Sequence, residues 1–183
     1  MTKFCPACGE NVETYTIDKP YRKEVCCIHC GMIVEGLEAP QISAGNIVII
    51  ADDSPMIREM LKDVFISGSL AGEVIGCKDG YDFISTYVKK LKEGKTVSLV
   101  VLDVSMPILN GVNAAIAMRA TEKDDIRAVP ILFFTAQKCD ENFQKVLDYC
   151  KPAQYVNKGV SSTPELLASR VTQVVKMLLR VPQ

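Results

Sequence analysis

The sequence of 183 residues lacks an excess of charge, a long apolar run and a recognisable secretory signal. Its 21 lysines and arginines nearly balance 22 aspartates and glutamates, and the net charge of −1 argues against a polyelectrolyte role on nucleic acid or acidic membranes. The longest uncharged run, residues 104–118, contains proline, asparagine and glycine and falls short of the roughly 18 to 20 apolar residues that span a bilayer. The opening MTKFCPACGE has charged and turn-forming residues where a signal peptide would be apolar. We therefore expect a cytoplasmic protein that does not enter a membrane.

The composition is that of a soluble globular protein, with 48% apolar and 23% charged residues. Disorder and low complexity are therefore excluded for most of the chain, whose length suits one to two domains. The unusual feature is the distribution of its eight cysteines, because five lie within the first 30 residues: Cys5, Cys8, Cys26, Cys27 and Cys30. In a cytoplasmic protein, clustered cysteines bind metal more often than they form disulfides.

The character of the sequence changes near residue 40. Residues 1–36 are rich in cysteine and turn-forming residues, and residues 37–45, LEAPQISAG, have the composition of a linker. From residue 46 to residue 183, short β-branched runs alternate with helix-length amphipathic segments. The predicted strand and helix pairs are 47–50 with 54–65, 73–77 with 81–92, 97–102 with 111–120, 130–134 with 140–150, and 154–157 with 162–180.

This strict alternation predicts an α/β domain in which helices cover both faces of a parallel sheet. The runs IVII, SLVVL and PILFF are continuously apolar, as expected for strands that are buried on both faces. Ser54 and Thr163 each precede a proline, which is the arrangement of a helix N-cap followed by proline at the first helical position.

Polar side chains follow four of the predicted strands, at the edge where open parallel sheets bind ligands. They are Asp52 and Asp53 after the first strand, Asp103 after the third, Thr135 after the fourth and Lys158 after the fifth. Carboxylates held close together repel unless a hard cation lies among them, and Mg²⁺ binds few carboxylates and keeps positions for water or phosphate oxygens. The lysine and the hydroxyl would then suit a phosphoryl group beside the metal. Any one of these residues alone could be a solvated loop residue or a cap, but together they favour a site.

Residues 46–181 resemble the receiver domain of two-component response regulators. The resemblance rests on IIADDS, LDVSMPILNG, FFTA and YVNKG, and most specifically on the D-x-x-M-P-x-x-N-G spacing from Asp103 to Gly111. It covers about three-quarters of the chain. It implies a flavodoxin-like (βα)₅ fold, a doubly wound parallel sheet with strand order 2-1-3-4-5.

The resemblance also implies that Asp103 is the phosphoacceptor, taking its phosphoryl group from a histidine kinase or a phosphotransfer protein. The Mg²⁺ ligands would be Asp52, Asp53, Asp103 and the backbone carbonyl of Ser105. A carboxylate can act as the nucleophile here because the metal offsets charge on the incoming phosphoryl group.

Three further residues would respond to the phosphoryl group. Lys158 would neutralise phosphate charge, Thr135 would be the switch hydroxyl, and Tyr155 would be the coupled switch aromatic. Phosphorylation adds roughly −1.5 to −2 of charge, which would draw Thr135 inward and vacate space into which Tyr155 could rotate. The alternative for Tyr155 is a half-buried strand aromatic. In many receivers the lysine is followed by proline with a cis bond, so Gly159 leaves the geometry of the Lys158–Gly159 bond open.

The amino-terminal cysteines form two pairs, Cys5 with Cys8 and Cys27 with Cys30, each followed by glycine. The spacing C-x₂-C-x₁₈-C-x₂-C is typical of a structural zinc site, and this part resembles a zinc ribbon of three short strands around one Cys₄ zinc. About 36 residues cannot bury enough surface to fold alone, so metal would supply the missing stability. Four thiolates would close the site, which indicates a structural rather than a catalytic metal. Cys26 and His29 are rival ligands in the second pair.

Three functions are compatible with these features. The first is a signalling protein controlled by phosphorylation, which acts through a downstream protein, has no separate output domain, and offers the face around Tyr155 for a homodimer. The second is a DNA-binding regulator, but the four basic and six acidic residues of residues 1–40 give that part a charge of −2. The third is a Mg²⁺-dependent phosphatase, but Val104 and Ser105 follow Asp103 where a D-x-D pair would be needed. We expect the first, without enzymatic activity beyond slow hydrolysis of its own acyl phosphate.

Overall fold

The computed structural model describes residues 2–19, 22–35, 46–122, 128–160 and 163–179. Within these residues the chain forms two sheets, one antiparallel and one parallel. The predicted linker, residues 37–45, lies outside the described residues.

The parallel sheet has five strands, in the order β6-β5-β7-β8-β9. Taken in sequence from β5, this is the predicted order 2-1-3-4-5, so the flavodoxin-like fold is confirmed. The strands are β5 (Ile47–Ala51), β6 (Glu73–Cys77), β7 (Val97–Leu102), β8 (Ile131–Thr135) and β9 (Ala153–Asn157). The helices are α1 (Pro55–Ser67), α2 (Gly80–Lys92), α3 (Gly111–Thr121), α4 (Glu141–Tyr149) and α5 (Pro164–Leu178), and a 3₁₀ turn spans Lys158–Val160.

Burial explains why these segments form this sheet. Every residue of the interior strands β5 and β8 is buried, because helices cover both faces of a parallel sheet. Ser54 accepts a hydrogen bond from the Ile57 amide and Thr163 accepts one from the Leu166 amide, so both predicted caps are present. Among the described helices, none is both long enough and apolar enough to cross a bilayer.

The cysteine-rich part is an antiparallel sheet of four strands rather than three. They are β1 (Thr2–Cys5), β2 (Glu10–Lys19), β3 (Arg22–Cys27) and β4 (Ile33–Glu35). The additional strand arises because the chain turns back after the second cysteine pair, and Ile33 then pairs with Cys26. We call this sheet and its two cysteine turns the ribbon.

Candidate functional site

An acidic pocket lies where the central strands of the parallel sheet end. Asp52 directly follows β5, and Asp103 directly follows the neighbouring strand β7, held there by a hydrogen bond from its amide to the Ala51 carbonyl. One carboxylate oxygen from each of Asp52, Asp53 and Asp103 lies within 4.8 Å of the others. The side chains of Asp52 and Asp103 are buried and that of Asp53 is exposed, so the pocket opens toward solvent on one side.

Lys158, at the end of the edge strand β9, places its ammonium between two of these carboxylates. Its Nζ lies 2.7 Å from Asp52 Oδ2 and 3.1 Å from Asp103 Oδ2. One ammonium among three carboxylates leaves the pocket negative, which is the charge and ligand chemistry that Mg²⁺ prefers. The donor set therefore fits that ion. The Lys158–Gly159 bond is trans, whereas the cis bond of the described residues is Lys151–Pro152.

Burial raises the pKa of the Asp103 carboxyl above its usual value. Lys158 and a hydrogen bond from the Ser105 amide work in the opposite direction by favouring the carboxylate. Because the carboxylate is partly desolvated, less hydration must be removed before it reacts, while Lys158 keeps it ionised.

The loop after β7 explains the spacing of the D-x-x-M-P-x-x-N-G motif. Asn110 caps α3 by accepting a hydrogen bond from the Asn113 amide, and Met106 is buried. A Cβ atom at Gly111 would lie 2.0 Å from the backbone oxygen of Asp103. Only glycine allows the start of α3 to pack this closely against the backbone of Asp103. The motif thus packs the start of α3 against the backbone of Asp103 and so restricts where its side chain begins.

The two predicted switch residues lie on adjacent strands. Thr135 ends β8, is buried, and accepts a hydrogen bond from the Gln137 amide. Tyr155 lies on β9 opposite Phe133, with 2% of its surface exposed. Its ring packs edge-on against Phe143 of α4, and its hydroxyl donates a hydrogen bond of 3.1 Å to the Cys8 sulfur. Tyr155 is therefore a buried contact between the two sheets and not a half-buried strand aromatic.

The structure brings together Cys5, Cys8, Cys27 and Cys30. Their sulfur atoms all lie within 4.8 Å of one another, with 3.6 Å between Cys5 and Cys30 and 3.7 Å between Cys8 and Cys27. Zinc–sulfur bonds of about 2.3 Å in a tetrahedron separate the sulfur atoms by about 3.8 Å, so the four positions fit a Zn²⁺ ion. Each cysteine turn ends in a glycine of positive φ, Gly9 at 79° and Gly31 at 69°.

The four thiols perturb one another strongly. Hydrogen bonds from Cys30, Cys5 and Cys8 lower the pKa of the Cys27 thiol, and the contact with Cys27 raises the pKa of Cys30. Four crowded sulfur atoms cannot all ionise without a cation among them, and a bound divalent ion removes that restriction. The chemistry of the donor set therefore agrees with its geometry.

The rival ligands of the second pair lie outside this cluster. His29 is exposed, and its backbone carbonyl accepts a hydrogen bond from Gln144 of α4. Cys26 is buried in β3, and its strand partner across the sheet is Tyr15. Neither is part of the group whose sulfur atoms converge.

The ribbon packs against the parallel sheet, a contact that the sequence did not predict. We define the first knuckle as residues 5–9, and the Tyr155 face as the surface of α4, β9 and α5 around Tyr155, Asn157 and Arg170. The Asn157 amide donates to the Ala7 carbonyl at 2.9 Å. Arg170, only 1% exposed, donates to the carbonyls of Pro6, Ala7 and Asn157 at 2.8 to 3.0 Å.

Arg170 is a functional candidate that sequence reasoning missed. A signal was present, because Arg170 falls on the helical face of α5 that also carries Leu167, Val171 and Val174, all buried. A charged residue on an apolar helix face needs buried partners, and here those partners come from the ribbon. The Tyr155 face, where we expected a homodimer, is covered by the first knuckle, so a dimer through it would require the ribbon to leave.

Comparisons with known proteins agree with this geometry. Residues 48–171 match the model of the response regulator receiver domain. A hybrid signal transduction histidine kinase I of Dictyostelium discoideum is 26% identical over 132 residues, covering 72% of this chain and 7% of that protein. A protein-glutamate methylesterase/protein-glutamine glutaminase of Methanococcus maripaludis is 29% identical over 142 residues, covering 73% of this chain and 36% of that protein.

A solved structure shares the fold. The response regulator domain of Thermotoga maritima CheB superposes with a TM-score of 0.60 at 20% identity, and the match covers 76% of this chain and 99% of that one. The chain therefore matches a whole receiver domain, whereas it spans much less than two thirds of the curated relatives. The matched segment begins after the ribbon.

Proposed function

Because the chain belongs to the response regulator receiver family, we propose that it is the phosphoacceptor of a two-component system and is phosphorylated on Asp103. The observation that carries the proposal is the pocket in which Lys158 contacts Asp52 and Asp103 beside a third carboxylate. The phosphoryl donor would be a histidine kinase or a phosphotransfer protein. A carboxylate oxygen of Asp103 forms a bond to phosphorus while the bond from phosphorus to the donor histidine breaks.

Each neighbour of Asp103 has a role in this reaction. Asp52, Asp53, Asp103 and the carbonyl of Ser105 would hold Mg²⁺, which offsets negative charge on the phosphoryl oxygens. Lys158 places its ammonium 3.1 Å from Asp103, where it can pair with one of those oxygens. Since the Lys158 ammonium and the carboxylates of the pocket are already held in place, little reorganisation is needed when the phosphoryl group arrives.

The response to phosphorylation would pass through Thr135 and Tyr155. A phosphoryl group on Asp103 offers strong acceptor oxygens that the Thr135 hydroxyl can reach by turning inward. That movement vacates space beside β9, and Tyr155 rotates into it. The altered surface then acts on a downstream protein rather than on nucleic acid, because the ribbon carries no excess of positive charge.

The ribbon would have a structural role, with Zn²⁺ held by Cys5, Cys8, Cys27 and Cys30. We place the protein in the cytoplasm, where free thiols such as these persist. We assign it no enzymatic activity other than slow hydrolysis of its own acyl phosphate.

Binding of beryllofluoride, which mimics a phosphoryl group on a carboxylate, tests this function. We expect calorimetry to detect binding to the wild type only when Mg²⁺ is present, and none to Asp103→Asn. Asp63→Asn is the matched control, because Asp63 is an exposed carboxylate of α1. Equal binding by the wild type and Asp103→Asn would overturn the assignment.

A further inference from the structure

The Tyr155 face is covered by a segment of the same chain. Among the described residues, the first knuckle accepts hydrogen bonds from three side chains or amides of this face: Tyr155 donates to the Cys8 sulfur, the Asn157 amide to Ala7, and Arg170 to Pro6 and Ala7. β9 is the edge strand of its sheet, and the Ala7 carbonyl of the first knuckle accepts a hydrogen bond from the amide of its last residue, Asn157.

We propose that the first knuckle is the intramolecular partner of the Tyr155 face and that phosphorylation of Asp103 releases it. The inference rests on the proposed phosphorylation of Asp103, and adds to it the element that the phosphoryl group acts upon. The ribbon is then the output element of the switch. Its cysteine cluster contacts the receiver domain through Tyr155, the residue that would rotate.

The coupling follows because Tyr155 cannot keep its contact with Cys8 and also rotate toward Thr135. Its hydroxyl bonds to the Cys8 sulfur while its ring packs edge-on against Phe143. Rotation of the ring into the space beside Thr135 would take the hydroxyl away from that sulfur. The docked knuckle and the inward Tyr155 are therefore mutually exclusive arrangements, and whatever favours one disfavours the other.

A methyl group added at Gly9 would disturb the contact between the first knuckle and Arg170. A Cβ atom at Gly9 would lie 2.6 Å from Cζ of the Arg170 guanidinium, which is far inside van der Waals contact. Gly31 occupies the equivalent position of the second cysteine turn, also with positive φ, but a Cβ there meets no described atom within 4 Å. The two glycines thus share their backbone conformation and differ in their contact with α5.

Gly9→Ala and its matched control Gly31→Ala test the coupling. Both variants strain a cysteine turn, but only in Gly9→Ala must the knuckle or the Arg170 guanidinium shift, and either movement disturbs the hydrogen bonds from Arg170 to Pro6 and Ala7. Since coupling between two sites typically changes affinity by about 5- to 150-fold, we expect Gly9→Ala to bind beryllofluoride at least about fivefold more tightly than the wild type. Gly31→Ala should bind it as the wild type does. Gly9→Ala binding at the wild-type affinity would overturn the inference.

Amide hydrogen exchange in the wild type gives a second readout that does not depend on a variant folding. The Asn157 amide is protected by its hydrogen bond to Ala7, so beryllofluoride with Mg²⁺ should increase its exchange rate at least about fivefold. The amides of β2 serve as the control within the ribbon, and Asp103→Asn should show no change.

Failure of the knuckle release can be distinguished from failure of the phosphoacceptor assignment. If the wild type binds beryllofluoride and Asn157 exchange stays the same, the ribbon is not the output element and the phosphoacceptor assignment stands. If neither the wild type nor Gly9→Ala binds beryllofluoride, the proposed function is wrong, and the release of the knuckle is wrong with it.

Discussion

At the scale of single residues, Arg170 joins the two parts of the molecule. It is buried, and the three carbonyls that its guanidinium contacts lie in the ribbon and in β9. Burial lowers the pKa of Arg170, while the nearby thiol of Cys5 counters this by favouring the charged form. A buried guanidinium is tolerated here because carbonyl oxygens replace its water on several sides.

Replacing Arg170 by methionine should therefore destabilise the fold more than the loss of a single contact would. The Ala7 carbonyl keeps the Asn157 amide as a donor, whereas the carbonyls of Pro6 and Asn157 lose the guanidinium. Buried carbonyls left without donors cost roughly 1 to 3 kcal/mol each, so we expect Arg170→Met to lower the free energy of unfolding by about 2 kcal/mol or more. Lys176→Met, at an exposed position on the same helix, should change it by less than about 0.5 kcal/mol. Urea unfolding measures both. A loss below about 1 kcal/mol for Arg170→Met would show that the contacts with the ribbon contribute little.

At the scale of elements, the ribbon has little apolar material of its own. Apart from its cysteines and Ala7, the buried apolar side chains of its described residues are those of Val12 and Met32. Four strands with so small a core need further stabilisation, which a metal ion bound by the four converging sulfur atoms would supply.

Elemental analysis should accordingly find about one zinc ion per chain in the purified protein. Cys5→Ser removes one of the four ligands and should lose the metal. Cys26→Ser is the matched control, because Cys26 is a buried cysteine of the same ribbon outside the cluster, and this variant should keep it. Metal-free protein whose ribbon amides remain protected from exchange would contradict the zinc assignment.

The parallel sheet was predictable for a physical reason. β6 and β7 begin and end at the predicted residues, and α5 is two residues shorter than predicted at each end. Buried parallel strands are short apolar runs bounded by turns, so their limits are visible in the sequence. The docking of the ribbon was not predictable, because it depends on contacts such as that of Tyr155 with Cys8, which are 147 residues apart.

At the scale of the whole molecule, the acidic pocket and the cysteine cluster are both contacted by residues of β9 or the turn that follows it. Lys158 at the end of β9 contacts Asp103, and Tyr155 on the same strand contacts the cysteine cluster. A single strand of five residues, β9, thus adjoins both sites. In the proposed switch, this proximity would transmit a change of charge at Asp103 to the ribbon.

Chemical phosphorylation followed by mass spectrometry can locate the phosphoryl group that we propose for Asp103. After incubation of the zinc-loaded chain with acetyl phosphate and Mg²⁺, we expect one phosphoryl group per chain, located on Asp103 and absent from Asp103→Asn. A phosphoryl group found on another residue, or no modification of a folded wild-type protein, would show that Asp103 is not the phosphoacceptor.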